Sequence, residues 1–262
     1  MTGIWFASDL HVGGHAKVAQ LRGFPTTAEH DTELARRWDA AIKPGDHVWV
    51  LGDVTGRRGT EPAGLEWIAN RPGTKHLIVG NHDPVHGMHT GAHKAMRAYL
   101  AVFATVMQTA TRKIGGARVL LSHFPYANDP DGDHTAILRH LEYRMPDTGQ
   151  WLLHGHTHSP IQQRGRQLHV GIDAHDLAPV PLKWVEDRIA AGVPTPLTAP
   201  MRVERTGRKV TLEELEAMRD SGNLPPRLLD AAIDRARQRR SGNPPVPGCT
   251  EAPHFPNTSE DS

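Results

Sequence analysis

Seven side chains in five short motifs of this sequence have the chemistry of metal ligands. They comprise two carboxylates, one amide and four imidazoles, in chain order Asp9, His11, Asp53, Asn81, His123, His156 and His158. Two adjacent divalent cations require oxygen and nitrogen donors of this kind, and such a pair of cations cleaves phosphoesters. The inventory therefore predicts a dinuclear metal site, with one further motif histidine, His82, left over.

Each motif also has a structural interpretation, and the motifs differ in specificity. Asp9 and His11 could bind one cation together, because alternate residues of an extended segment face the same way. Taken alone, each of these signals is more often structural than functional. This holds for the pair Asp9 and His11, for Asp53 and for His123. The segment Gly155-His156-Thr157-His158 is more specific, because two imidazoles at i and i+2 beside a glycine form a good metal-binding segment. All five motifs in this order favour the functional interpretation.

The third motif combines three polar side chains with different uses. Asn81 offers a neutral oxygen ligand, and His82 offers a titratable proton beside it. Asp83 could orient His82 or cap the following segment. In the second motif, Gly52 before Asp53 would let two backbone segments approach closely, because glycine has no side chain.

The apolar runs before the motifs predict the elements that position these side chains. Runs without helical spacing predict strands over residues 4–8, 47–51, 75–79, 102–114, 117–122, 150–154, 167–172 and 180–185. Helical spacing predicts helices over residues 28–42, 62–70, 92–100 and 133–143. Alternation of strands and helices indicates an α/β domain. Every motif follows a strand, so the loops should meet at one edge of a sheet, where α/β proteins hold ligands.

Composition limits the class of protein. The chain has 262 residues and a formal charge of +1, which argues against a dedicated electrostatic surface for long nucleic acid without excluding it. A small anionic substrate remains compatible, because bound metals would supply positive charge locally. The one cysteine, Cys249, excludes an internal disulfide, which suits a reducing compartment. With no apolar run of membrane-spanning length and no leader expected before Asp9, we expect a cytoplasmic protein without membrane contact.

Together the five motifs resemble the signature of the calcineurin-like metallophosphoesterases, over residues 4 to about 185. The resemblance implies the metallo-dependent phosphatase fold, a four-layer α/β/β/α sandwich of two mixed sheets. It implies ligand roles as well: Asp9, His11 and His158 for the first metal, Asn81, His123 and His156 for the second, and Asp53 as the bridge. His82 would lie over the scissile phosphate without binding metal.

The resemblance also implies a mechanism. Two cations about 3.5–4 Å apart would share a water, lower its pKa and present a bridging hydroxide for in-line attack on phosphorus. Protonated His82 would stabilise the developing charge and give a proton to the leaving oxygen. Mixed nitrogen and oxygen ligands suit Mn²⁺, Fe, Co²⁺, Ni²⁺ or Zn²⁺, and we expect Mn²⁺. Arg57 and Tyr126 are further candidates for substrate contact.

The domain organisation follows from the extent of the motifs and a change in composition. Residues 1–188 form the predicted metallophosphoesterase domain. Residues 189–240 form a proline-rich linker and a small helical appendage, with helices at 212–220 and 226–240. Residues 241–262 have the composition of a disordered tail.

Three functions compete at this point. A small stand-alone phosphodiesterase, similar to the class III cyclic nucleotide phosphodiesterases, would hydrolyse nucleotide-like diesters such as 2′,3′-cyclic nucleotides. A nuclease of the same superfamily is the alternative, and the arginines of residues 226–240 favour it. A non-catalytic scaffold predicts missing ligands, which the sequence does not show. Protein phosphatases of the superfamily carry Gly-Asp-x-x-Asp-Arg-Gly, whereas Gly56 stands here in place of the second aspartate. The group that supports His82 and the oligomeric state are left open.

Overall fold

The computed structural model describes residues 2–56, 59–129 and 139–193. The strands within these ranges are β1 Ile4–Ala7, β2 His47–Val50, β3 Thr74–Ile78, β4 Thr105–Met107, β5 Ala110–Ile114, β6 Ala117–Leu121, β7 Trp151–His154, β8 Gln163–Arg164, β9 Gln167–His169 and β10 Val180–Pro181. The α-helices are α1 Ala16–Leu21, α2 Thr27–Ala41, α3 Glu61–Ala69, α4 Ala92–Leu100 and α5 Leu182–Ala191. Two 3-10 helices span Leu141–Tyr143 and Ile172–Ala174.

The strands form two five-stranded mixed sheets. The order in the first sheet is β10-β1-β2-β3-β4, with β10 antiparallel to β1 and the other neighbours parallel. The order in the second sheet is β5-β6-β7-β9-β8, with a parallel centre and antiparallel edges. Parallel neighbours end at the same edge of a sheet, so β1, β2 and β3 present their following loops side by side.

The core divides into two layers because side chains alternate across the first sheet. One face packs against the second sheet, through Phe6, Trp49, Leu51, Ile78, Val119, Leu121, Leu153 and Leu168. The other face packs against α2, α3 and α4, through Ala7, Val48, Val50, Leu77, Leu34, Trp38, Leu65, Ile68 and Tyr99. Two mixed sheets with helices outside confirm the predicted sandwich fold.

Most of the predicted elements before residue 130 are confirmed within two residues. The prediction of a strand over residues 180–185 is wrong beyond its first two residues, because α5 begins at Leu182 with Pro181 as its N-cap. Leu182, Val185 and Ile189 lie at helical spacing and pack into the core between the sheets. α5 also continues past residue 188, the predicted domain boundary.

Other predictions fall partly or wholly beyond the described ranges. Of the helix predicted over 133–143, the described part contains only the 3-10 helix Leu141–Tyr143. The predicted appendage and tail lie outside the described residues. Within the described ranges, no helix combines the length and the apolar composition needed to cross a membrane.

Candidate metal centre

The loops that follow five strands, three in the first sheet and two in the second, lie next to one another. β1 precedes Asp9 and His11, β2 precedes Asp53 and β3 precedes Asn81, all in the first sheet. β6 and β7 of the second sheet precede the remaining histidine motifs. Backbone hydrogen bonds join neighbouring loops, from the Asp9 N–H to the Gly52 carbonyl at 3.0 Å and from the Gly155 N–H to the His123 carbonyl at 2.9 Å.

The first group of donors consists of Asp9, His11 and His158, whose ligand atoms lie within 4.8 Å of one another. The Nε2 atoms of His11 and His158 are only 3.1 Å apart. Asp9 has both carboxylate oxygens near the backbone N–H of His156, at 3.1 and 3.0 Å, which ties the first sheet to the second. The three residues come from strand ends almost 150 positions apart in the chain, and the fold brings them together.

The second group of donors surrounds the Nε2 atom of His123. Asp9, Asp53 and His123 offer ligand atoms within 4.8 Å of one another. Asn81 Oδ1 lies 3.1 Å and His156 Nδ1 lies 3.2 Å from the same His123 nitrogen. His123 Nδ1 donates to the Leu51 carbonyl at 2.8 Å, which leaves Nε2 as the nitrogen facing the group.

Asp53 lies between the two groups. Its Oδ2 atom is 3.8 Å from His11 Nε2 in the first group and 3.4 Å from His123 Nε2 in the second. Burial, with the neighbouring carboxylate of Asp9, raises the pKa of Asp53 well above its usual value. Burial also lowers the pKa values of His11 and His123, so both imidazoles are neutral at neutral pH.

This donor set fits two divalent cations. Imidazole nitrogens lie 3.1–3.2 Å apart in both groups, and two such nitrogens repel each other when both are unprotonated, unless a cation lies between them. Two buried carboxylates beside them also need positive charge. All seven side chains predicted from the sequence contribute an atom to one of the two groups. Nitrogen and oxygen donors without thiolate are compatible with Mn²⁺, Fe, Co²⁺, Ni²⁺ and Zn²⁺.

The backbone at the site departs from the extended conformation that the sequence predicted for Asp9-Leu10-His11. Five of the seven donor residues have φ between 49° and 72°, namely Asp9, His11, Asp53, His156 and His158. Residues other than glycine rarely adopt this region, and such strain concentrates at functional sites. Asp9 and His11 therefore face the same group because each lies in a left-handed turn, not because side chains alternate along a strand.

Asp83 connects two metal-site loops. Its carboxylate accepts hydrogen bonds from the backbone N–H groups of Gly80 at 2.8 Å, Asp53 at 3.0 Å and Val54 at 3.1 Å. The sequence left open whether Asp83 orients His82 or caps the next segment; in the structure it holds the Asp53 loop against the Asn81 loop. Burial, and after it the negative charge of Asp53, raises the pKa of Asp83 to about 7, although the N–H donors act to lower it.

Glycines permit the close approach of the same two loops. A Cβ on Gly52 would lie 2.6 Å from the Gly80 Cα, and Gly52 has a φ of +89°. A Cβ on Gly80 would lie 2.2 Å from Asp53 Oδ1 and 2.6 Å from the Asp53 nitrogen. The close backbone approach predicted for Gly52 is confirmed.

We expect Gly80→Ala to weaken metal binding and to destabilise the fold by about 1–3 kcal/mol, because the added methyl group must displace Asp53. Thermal unfolding with and without Mn²⁺ measures both effects. Gly45→Ala is the matched control, since a Cβ there meets nothing within 4 Å and its φ is not left-handed. Equal metal-dependent stabilisation of the Gly80→Ala protein and the control would contradict the expectation.

His82 is exposed at the rim of the two groups. Its ring lies 5.4 Å from the ring of His11, and its backbone N–H donates to Asp53 Oδ1 at 2.9 Å. Partial desolvation, followed by the influence of His123, lowers the pKa of His82 to about 4. The His82 imidazole is therefore neutral at neutral pH when neither metal nor substrate is bound.

Of the two candidate substrate residues, the structure describes only Tyr126, which does not line the site. Tyr126 is fully buried, and its hydroxyl donates to the Gln150 carbonyl at 2.9 Å, so its ring has a packing role. Arg57 lies outside the described residues. Sequence reasoning also missed two residues that contact the donor groups, Asp173 and Arg22. No local motif marks either residue, and only the folded chain brings them to the site.

Asp173 and Arg22 form a buried ion pair beside His158. Although burial opposes it, the pairing with Arg22 and His158 holds the pKa of Asp173 well below its usual value. Burial lowers the pKa of His158, but the hydrogen bond and negative charge of Asp173 outweigh it, so the pKa of His158 is raised. The pKa of His158 is thus raised, whereas the pKa values of His11 and His123 are lowered.

Comparisons with known proteins found relatives in sequence and a solved structure of the same fold. Gene 66 protein of Mycobacterium phage L5 is 44% identical over 187 residues, which cover 66% of this chain and 88% of that protein. Gene 66 protein of Mycobacterium phage D29 is 44% identical over 191 residues, covering 69% and 93%. A crystal structure of a protein of unknown function from Aquifex aeolicus shares the fold, with a TM-score of 0.53 at 21% identity, over 71% of this chain and 99% of that one.

The family comparison covers the whole of the site. The model of the calcineurin-like phosphoesterase superfamily domain matches residues 3–171, which include all seven donor residues and His82. Proteins of this superfamily typically bind two divalent metals, and the two donor groups of this chain could each hold one. The chain belongs to the calcineurin-like phosphoesterase superfamily.

Proposed function

We propose that this chain is a dinuclear metal-dependent phosphodiesterase that hydrolyses small phosphodiesters such as 2′,3′-cyclic nucleotides. Membership of the superfamily supports metal-dependent phosphoester hydrolysis. The proposal adds that the substrate is a phosphodiester and that it is small. The observation that carries it is the position of Asp53 between two donor groups, with an exposed His82 beside them. In the proposed arrangement Asp9, His11 and His158 hold the first metal, Asn81, His123 and His156 hold the second, and Asp53 holds both.

The metals and the side chains have separate tasks in this proposal. When bound, two adjacent cations activate a water as nucleophile and neutralise charge on the phosphate oxygens. Asp53 and Asp9 provide the negative charge that keeps both cations in place. His82 supplies a proton to the leaving oxygen through a ring nitrogen. Its pKa of about 4 in the free site must rise for this task, and the negative charge of a bound phosphate has that effect.

The surroundings of the site favour a small substrate over a long nucleic acid. Rings of His15, His82 and His140 lie 5.3 Å, 5.4 Å and 6.0 Å from rings of donor histidines. A few imidazoles can contact one phosphodiester, whereas a long strand requires a row of Lys and Arg contacts to its phosphates. The formal charge of +1 for the whole chain agrees. The arginines that favoured the alternative, a nuclease, belong to residues 226–240, which lie outside the described ranges.

A substrate panel tests the proposal. Metal-free protein reconstituted with Mn²⁺ is assayed on bis-nitrophenyl phosphate, mono-nitrophenyl phosphate, 2′,3′-cyclic and 3′,5′-cyclic nucleotides, and long single-stranded DNA and RNA. We expect kcat/KM on the small diesters to exceed that on the monoester by at least about tenfold, equivalent to about 1.4 kcal/mol of transition-state stabilisation. Parallel titrations with Zn²⁺, Co²⁺, Ni²⁺ and Fe²⁺ test the choice of Mn²⁺.

Each competing function has its own outcome in this panel. A preference for the monoester contradicts the diester assignment. Cleavage of long DNA or RNA with a steep salt dependence supports the nuclease, because counterions are released when many phosphates are bound. Two bound metals without turnover of any substrate support the non-catalytic scaffold. The Asp53→Asn protein shows whether any activity observed belongs to this site.

A further inference from the structure

A buried ion pair outside the five motifs contacts the donor residues of the first group. Asp173 lies in the 3-10 helix Ile172–Ala174, just beyond the residues that the family model matches. Its Oδ1 accepts a hydrogen bond from Arg22 Nε at 2.9 Å, and its Oδ2 accepts one from Arg22 Nη2 at 2.7 Å. The same Oδ2 lies 2.8 Å from His158 Nδ1. One carboxylate therefore joins a bidentate arginine contact to a donor histidine.

Arg22 connects this carboxylate to the loop of the first motif. Its Nη2 donates to the Asp9 carbonyl at 2.6 Å, and its Nη1 donates to the Leu10 carbonyl at 3.1 Å. Only 8% of Arg22 is exposed, so these contacts are formed away from water. Asp9 and His11 flank the carbonyls that Arg22 holds, and both have left-handed φ values. The guanidinium thus ties the strained loop of the first motif to Asp173.

A second connection reaches the same loop from α2. His30 Nε2 lies 2.9 Å from Arg22 Nη1, and His30 Nδ1 lies 2.7 Å from Asp31 Oδ1. Asp31 Oδ2 accepts from the Gly13 N–H at 2.9 Å. The position of Arg22 is therefore fixed from α2 on one side and by Asp173 on the other.

The contact to Asp173 determines which nitrogen of His158 carries the proton. An ionised carboxylate only accepts hydrogen bonds, so His158 Nδ1 must be the protonated nitrogen. Nε2 is then the nitrogen whose lone pair can bind a metal, and it is this atom that lies 3.1 Å from His11 Nε2. Carboxylates placed in this way orient a ligating imidazole and increase its basicity.

We propose that Asp173, held by Arg22, is a positioning residue that directs His158 Nε2 to the first metal and sets the metal affinity of that position. The inference rests on the ligand assignment of the proposed function, which it deepens. It concerns the affinity of one of the two metal positions, because His158, the donor side chain that Asp173 contacts, belongs to the first group.

Calorimetric titration of metal-free protein with Mn²⁺ alone tests the affinity. We expect Asp173→Asn to weaken one of the two binding events by about 10–100-fold and to leave the other unchanged. Asp176→Asn is the matched control, since Asp176 lies in the same segment and pairs with Arg37 at 2.8 Å. Unchanged affinities in Asp173→Asn, or equal weakening in both variants, overturn the inference.

The tautomer of His158 provides a readout that needs no metal and no activity. At a pH well above the raised pKa of His158, long-range ¹H–¹⁵N spectra of the metal-free protein should show the single ring proton of His158 on Nδ1 in the wild type and a mixture of the two neutral tautomers in Asp173→Asn. A neutral wild-type His158 that carries its proton on Nε2 overturns the inference even if the variant fails to fold. Failure of the proposed function is distinguishable, because a wild-type protein that binds no Mn²⁺ would contradict the ligand assignment whatever the tautomer.

Discussion

Replacing Asp53 by asparagine should abolish phosphoester hydrolysis and remove at least one of the two bound metals. Asp53 Oδ2 lies 3.8 Å from His11 Nε2 and 3.4 Å from His123 Nε2, and in the proposed arrangement it holds both cations. Asparagine keeps the shape but offers an uncharged oxygen and an NH₂ group that cannot bind metal. We expect kcat/KM to fall by at least about 1,000-fold, corresponding to about 4 kcal/mol of lost transition-state stabilisation.

Although Asp53→Asn should lose activity, it should not lose thermal stability when the protein is free of metal. Burial and the Asp9 carboxylate raise the pKa of Asp53, so its ionised form is costly in the folded state without metal. The folded protein therefore loses stability as pH rises from the usual carboxyl pKa towards this raised value. Metal-free Asp53→Asn, which lacks that charge, should unfold at a temperature no lower than metal-free wild type at pH 7. Adding Mn²⁺ should raise the unfolding temperature of wild type much more than that of the variant.

Asp46→Asn is the matched control for this experiment. Asp46 precedes β2 at the opposite end of the strand, where its carboxylate accepts from the Gly3 N–H at 2.6 Å and the Trp5 Nε1–H at 3.1 Å. The control should lower thermal stability yet keep both metals and full activity per folded molecule. Wild-type metal content and activity in Asp53→Asn would show that this carboxylate is not a shared ligand.

Replacing His82 by alanine should slow hydrolysis by about 100- to 10,000-fold and leave metal binding intact, the range typical for removing a general acid. His82 is exposed and its ring belongs to neither donor group. Its backbone N–H to Asp53 Oδ1 hydrogen bond survives in alanine. The loss should appear mainly in kcat, because proton donation acts on the leaving oxygen during bond cleavage.

The leaving group distinguishes proton donation from mere binding. A nitrophenolate leaves readily without a proton, whereas the ribose oxygen of a cyclic nucleotide needs one. The His82→Ala protein should therefore lose more activity on cyclic nucleotides than on bis-nitrophenyl phosphate. His93→Ala, which removes an exposed histidine of α4, should have wild-type kinetics. An equal loss on both substrates, or lost metal in calorimetry, would rule out His82 as the proton donor.

Local sequence predicted the strands and helices that carry the motifs well. The apolar runs before Asp9, Asp53 and Asn81 are β1, β2 and β3, and α4 has the predicted bounds of 92–100. These signals are local, because alternation and helical spacing depend on neighbouring residues only. The strand predicted over 180–185 failed for the same reason: Val180–Pro181 does form β10, and a short apolar window does not distinguish a strand from the first turn of α5.

Long-range contacts were outside the reach of sequence patterns. Arg22 and Asp173 are separated by 151 positions, and neither belongs to a motif. Tyr126 shows the opposite error. Its position after the His123 motif predicted that it contacts substrate, yet its ring is buried in the interior. Asp83 lies in a recognised motif, but its three backbone partners come from two different loops. Each of these outcomes depends on how loops pack against one another.

The sequence by itself determined the chemistry of this protein: the donor types, their number, their order and their placement after strands, and hence the superfamily. These features depend on residue identity and local periodicity, which the chain displays directly. Only the tertiary structure decided that His11 faces His158 while His123 faces His156, that Asp53 lies between both pairs, and that Arg22 and Asp173 hold His158. Those arrangements arise from strand order, left-handed turns and buried contacts between distant segments, which exist only once the two sheets have packed.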